Sequence, residues 1–152
     1  MRRALVLVLF FAGCGAKNET EDYLRKSKQI TGRVILKSIS RTAKQIVEEK
    51  GALPEGSIGP TPAQPCCSTP EKTCPVDAAQ WRDPLWDELF VSIDRPGYFQ
   101  YSYQSDGTSF TASATGDVLC ESKPVTFTIS GAIGADGTLT VDESEIESST
   151  AK

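Results

Sequence analysis

The hydrophobic period changes once along this chain of 152 residues, and that change limits the fold more than any other feature. Between residues 21 and 50, steps of 100° per residue gather Leu24, Ile35, Leu36, Ile39, Ala43, Ile46 and Val47 onto one face. Lys26, Lys28, Lys37, Lys44 and Glu48 fall mainly outside it. This pattern predicts an amphipathic helix of roughly 30 residues, about 45 Å long. Asn18 and Glu21 have capping-box spacing at its start, and Gly51 and Pro54 end it. Gly32 interrupts the apolar side, which marks close packing or a weak point.

From Leu89 the period becomes two. Leu89, Val91 and Ile93 alternate with polar residues, and so do Phe99, Tyr101 and Tyr103. Asp106-Gly107 reads as a hairpin turn, followed by Phe110, Ala112 and Ala114 on one face. Val125, Phe127 and Ile129 come next, then a turn at Asp136-Gly137, then Leu139 and Val141. The small side chains of Ala112 and Ala114 leave room for a helix. The expectation is an α+β fold, a long N-terminal amphipathic helix packed on an antiparallel sheet of four or five strands within residues 89–142. Between the two lies a Cys/Pro-rich loop, 51–80, in which Asp77 and Gln80 cap a short turn. Asp83-Pro84 then opens a second helix.

The N-terminus carries a different signal. Arg2 and Arg3 precede an apolar run from Ala4 to Phe11, and Ala12-Gly13-Cys14 follows. A basic start, a short apolar stretch and small residues before a cut site describe an export signal. The run is too short to span a bilayer, which takes roughly 20 apolar residues. Ala12-Gly13-Cys14 resembles the lipobox of bacterial lipoproteins, with Phe11 where that family prefers Leu. The resemblance implies a signal peptide over 1–13, covalent lipid on Cys14 as the only attached group, and export with anchoring to the cell envelope. Gly15 in place of Asp favours the outer membrane in that family. Acyl chains at about 0.8 kcal/mol per buried methylene would hold a domain on a membrane durably. A polar tether over 14–20, a domain over 21–146 and a flexible tail over 147–152 complete the expected organisation.

Loss of Arg2 and Arg3 takes the formal charge from −4 to −6. An acidic chain without a basic cluster argues against nucleic acid as a partner. With Cys14 lipidated, Cys66, Cys67, Cys74 and Cys120 remain, and an even count in an exported chain points to two disulfides. A direct Cys66–Cys67 bond is strained. Two connectivities stay open, both tying the vicinal pair to Cys74 and Cys120.

Three stretches resemble the type IV pilin and pseudopilin family. They are Gly59-Pro60-Thr61-Pro62-Ala63-Gln64-Pro65-Cys66-Cys67 with Cys74, Trp81-Arg82-Asp83-Pro84-Leu85-Trp86 continuing to Phe99-Gln100-Tyr101, and Gly107 to Asp117. The resemblance covers roughly residues 50–131 and implies a helix-on-sheet fold whose partners are pilus or secretion-system proteins. The chain departs from the family at its start, which lacks the glycine and the apolar stretch bearing a glutamate that form a filament core. That argues against a place in a pilus shaft. It also lacks the acidic turn that often follows Gly116-Asp117 in related sequences. Asp117 and Glu121 alone offer too few oxygens for calcium.

With no histidine in the chain, imidazole acid–base chemistry and His-ligated metal sites are excluded. There is no phosphate-binding glycine loop and no Cys-x-x-Cys pair. Asp83, Asp87 and Glu88 are explained by helix capping rather than paired-carboxylate hydrolysis. The reading is therefore non-enzymatic, with no catalytic or metal residues: an envelope lipoprotein in assembly, adhesion or scaffolding. The alternative is a glycan- or peptide-binding module using Trp81, Trp86, Tyr98, Tyr101 and Tyr103, residues that at strand spacing are more often core.

Overall fold

A computed structural model of the chain describes residues 16–142 and 149–150, with side chains from 19 to 142. Cys14 and the expected export signal over 1–13 lie outside the described residues. The first element is helix α1, Ala16–Lys50, and it begins five residues before the expected start. Ala16, Lys17 and Glu19 are good helix formers, so the helix takes up most of the expected tether instead of being capped there. Among the described residues, no helix is long and apolar enough to cross a membrane.

The sheet is antiparallel throughout. Its strands are β1 (Gly56–Thr61), β2 (Gln100–Ser105), β3 (Ser109–Gly116), β4 (Val125–Ile133) and β5 (Leu139–Asp142), adjacent in that order. β1 is a correction, because the 51–80 segment was expected to be loop throughout. It alternates poorly and contains a proline, which an edge strand tolerates because its outer face needs no donor. The β1–β2 register slips between Ile58 and Thr61. At that bulge Gly59 sits at φ +106°, where a Cβ would stand 2.4 Å from the Tyr101 carbonyl oxygen, so only glycine fits.

A second correction concerns Leu89, Val91 and Ile93, which alternate as a strand would but form none. Helix α2 (Pro84–Glu88) is capped by Asp83, whose Oδ1 accepts from the Leu85 N–H at 2.9 Å. It ends in a Schellman turn: Phe90 N–H donates to Asp87 O, and Val91 N–H to Trp86 O. Leu89 and Val91 are buried by that turn, and Ile93 packs against the core edge. Their apolar spacing reflects burial without strand pairing. A third correction is β6, Ser149–Thr150, which pairs with Thr126 and Val125 in the part of the sequence expected to be a flexible tail. β5 covers only Ser130–Ile133 of β4, so the beginning of β4 keeps an open edge for it.

The core lies between α1 and the sheet. Leu36, Ile39, Ala43 and Val47 share one cluster with Ala112, Ala114, Phe127 and Ile129. Cross-strand register places Ala112 between Tyr103 and Ile129, and Ala114 between Tyr101 and Phe127. The two alanines thus form a shallow lane along which α1 crosses β3, with further contacts to β4 and β5. Gly32 is buried, and a Cβ there would meet the Phe99 ring at 3.1 Å. Its role is close approach. Each fully buried Leu, Ile or Phe contributes about 1.5–3 kcal/mol by removal from water.

Candidate functional site

The four cysteines settle one connectivity of the two. Cys66 pairs with Cys74 and Cys67 with Cys120, each with sulfurs 1.99 Å apart. The vicinal pair therefore pins the loop after β1 both to itself and to the β3–β4 connection. All four thiols are consumed in these bridges. The expected Asp77 cap is present too, its carboxylate accepting from Ala79 N–H and Gln80 Nε2, each at 3.0 Å.

Asp117 lies beside the Cys67–Cys120 bridge. Its carboxylate is desolvated, yet backbone N–H groups of the 119–123 turn outweigh that and hold it ionised below the usual carboxylate range. Oδ2 accepts from Lys123 N–H at 3.0 Å, while Oδ1 is buried without a partner. Glu121 points instead to Arg25 at 2.6 Å, so the two acids do not converge on one point. Among the described residues, no cluster of three or more His, Cys, Asp or Glu is arranged to hold a metal.

Lys28 of α1 meets the stapled turn and, beside it, the ring of Tyr98. Lys28 Nζ donates to Val118 O at 3.1 Å and stands 4.4 Å above the Tyr98 ring. These contacts fix the helix where it leaves the sheet. Each is worth only a fraction of a kcal/mol to about 1 at such half-buried positions.

Beyond them α1 is exposed, and this is the arrangement that periodicity missed. Leu24, assigned to the core face, is 44% exposed, because the sheet ends before the helix does. Tyr23, Ile30 and Val34 are 73%, 58% and 51% exposed. At 100° per residue they lie within roughly 40° of one another and about half a turn from Leu36, Ile39 and Ala43. The helix thus carries two apolar stripes: one buried from Gly32 to Val47, the other facing solvent from Tyr23 to Val34. The second stripe was visible in the sequence as an arc opposite the first, but it is sparser and overlaps the charged residues.

The aromatics considered for glycan contact are core instead. Trp86 and Tyr103 are fully buried, and Trp86 Nε1 donates to Thr61 Oγ1 at 3.0 Å. Trp81 packs 5.5 Å from Trp86 and 6.0 Å from Tyr101. Of the five, Tyr98 alone is more than slightly exposed, and Lys28 covers its ring. Asp83 and Glu88 are likewise occupied locally: Asp83 caps α2, and Glu88 pairs with Lys50 at 2.6 Å. Comparison with protein-family models, with curated proteins and with solved structures finds no match for this chain.

Proposed function

We propose that this chain is a non-enzymatic, pilin-like lipoprotein of the cell envelope, held by lipid on Cys14 and acting as an assembly, adhesion or scaffolding component. The observation that carries the reading is the second apolar stripe of α1. Tyr23, Ile30 and Val34 contribute nothing to the core, yet they line up on the face of α1 turned away from it. Isolated exposed apolar residues need no explanation, whereas an aligned set on one helix face suits a partner helix laid along it. The order of elements also supports the reading: a long helix, a stapled loop and an antiparallel sheet, as in pilins and pseudopilins. The two bridges would keep such a module rigid in an oxidising compartment.

The test has two arms. Intact mass of the protein taken from membranes without reductant should place the first residue at Cys14, carry a lipid adduct, and rise by two hydrogens per bridge on reduction. An unlipidated chain would remove the anchor from the proposal. Chemical cross-linking in cells should then join α1 to other envelope proteins, and Ile30→Asp with Val34→Asp should abolish the products. Products unchanged by that pair of substitutions would rule out the stripe as the contact.

A further inference from the structure

We infer that the outward face of α1 receives an acidic helix of another protein, one whose carboxylates run beside an apolar stripe. That partner is the one proposed above to lie along Tyr23, Ile30 and Val34, and the assignment of its charge rests on that reading. Along the chain Lys26, Lys37, Arg41 and Lys44 stand too far apart to form a basic run. At 100° per residue, however, they fall with Tyr23, Ile30 and Val34 inside one arc of about 80°. All seven are exposed. From Tyr23 to Lys44 the arc is about 32 Å long at 1.5 Å per residue. Glu19 and Glu48 lie beyond its two ends on the same side. Between residues 23 and 47 the chain places seven of its 16 cations and none of its 20 acids. An acidic protein thus carries one long cationic ridge, with the apolar residues in the half nearer its N-terminus.

The fold supplies these cations with no acid. Among the described residues, ion pairs between α1 and the rest of the fold are Arg25 with Glu121 and Lys50 with Glu88. Lys26, Lys37, Arg41 and Lys44 enter none. Arg33 is turned aside, its guanidinium 4.6 Å from the Phe127 ring centroid. Lys37, Arg41 and Lys44 are helical neighbours, so their like charges repel one another. A second copy of this chain laid on the same face would add to that repulsion. A helix lined with carboxylates relieves it and seats its apolar stripe on Tyr23, Ile30 and Val34. A membrane fits less well. Helices that lie in an anionic surface bury a wide apolar face opposite a strongly charged one. Here the apolar residues span only about 40°, Arg41 stands in line with them, and the chain as a whole is acidic.

The experiment uses the full chain with both bridges formed, and two labelled peptides of about 21 residues, long enough to be helical, as probes. Both carry the same leucine stripe; one has glutamates beside it and the other lysines. Fluorescence anisotropy should show saturable binding of the acidic peptide and at least about tenfold weaker binding of the basic one. The difference should shrink between about 0.1 and 1 M salt, where the Debye length falls from about 10 to about 3 Å. Lys26→Glu/Lys37→Glu/Lys44→Glu changes exposed residues only and should invert the preference. Should that variant fail to fold, Lys37→Ala/Lys44→Ala keeps good helix formers and should weaken binding of the acidic peptide by about tenfold. Equal affinity for the two peptides, no saturable binding of the acidic one, or a preference unchanged by the substitutions would each overturn the assignment. Binding to phosphatidylglycerol vesicles that the triple variant loses, with neither peptide bound, would overturn it too and give the face to a lipid surface. Cross-linking in cells separates this assignment from the reading beneath it. Products that vanish with Ile30→Asp and Val34→Asp but survive the charge reversal overturn the acidic partner alone. No products from the wild type overturn the partner helix itself, and its charge with it.

Discussion

Removal of the Cys67–Cys120 bridge tests what holds this fold together. The bond closes a loop spanning 53 positions, whereas Cys66–Cys74 spans 8. In the chain-entropy description, cross-linking restricts the unfolded ensemble in proportion to the logarithm of loop length. The long bridge is then worth about 4 kcal/mol and the short one about 2.5 kcal/mol. Cys66 and Cys74 are buried, so replacing both with alanine also forfeits packing around two sulfurs, about 1 kcal/mol more. The two double-alanine variants should therefore differ only modestly in free energy. Their denaturant slopes should differ clearly. Opening the 53-position loop lets the unfolded chain expand and expose more surface, so the urea m-value rises. Opening the 8-position loop leaves it nearly unchanged. The assay is equilibrium urea unfolding of wild type, Cys67→Ala/Cys120→Ala and Cys66→Ala/Cys74→Ala. An unchanged m-value in the first variant together with a loss below about 1 kcal/mol would refute the account and place the bridge's effect in the native state.

Three further outcomes follow from the geometry. Phe90 occupies the C′ position of the α2 Schellman turn at φ +52° and is 76% exposed, so Phe90→Gly should stabilise the fold by about 1 kcal/mol in thermal or urea unfolding. Thr61→Val leaves the buried Trp86 indole N–H without its acceptor and should destabilise by about 1–3 kcal/mol, whereas Thr61→Ser, which keeps the oxygen, should lose less. Asp106 accepts from Ser109 and Thr108 backbone N–H groups, at 2.7 and 2.9 Å, and from both hydroxyls, which hold its carboxyl well below the ordinary value of 3.8. A depressed folded-state value means the folded chain binds fewer protons, so this stabilisation is present above pH 3.8 and is lost as pH falls toward the folded value. Acid titration of stability should accordingly be shallower in Asp106→Asn than in wild type; parallel curves would show that the turn's hydrogen bonds do not depend on its charge.

Periodicity reads which residues are apolar on which face, and in this chain that was enough for the helix, the hairpin strands and the α+β class. Phe99, Tyr101, Tyr103, Phe110, Ala112, Ala114, Val125, Phe127 and Ile129 all face the core as their alternation required. Local chemistry was equally readable where the causes are local: Asp77 and Asp83 cap the turns they precede. What depended on distant parts of the chain was not readable. Gly56–Thr61 becomes a strand only because β2 offers an edge, and Ser149–Thr150 only because β5 leaves the start of β4 open. Leu89, Val91 and Ile93 carry a strand's spacing, but a helix-ending turn buries the first two, and Ile93 packs at the core edge without a strand partner.

The division has a physical basis. Hydrogen bonds to near neighbours and the burial of one face are dictated by residues a few positions apart, so sequence alone determined the helix, the alternating strands and the cysteine count. Which sulfur meets which and how far the sheet extends under α1 both depend on surfaces brought together from far along the chain. The sheet ends before the helix does, and only the tertiary structure decided that Leu24, on the core face by its spacing, would face water.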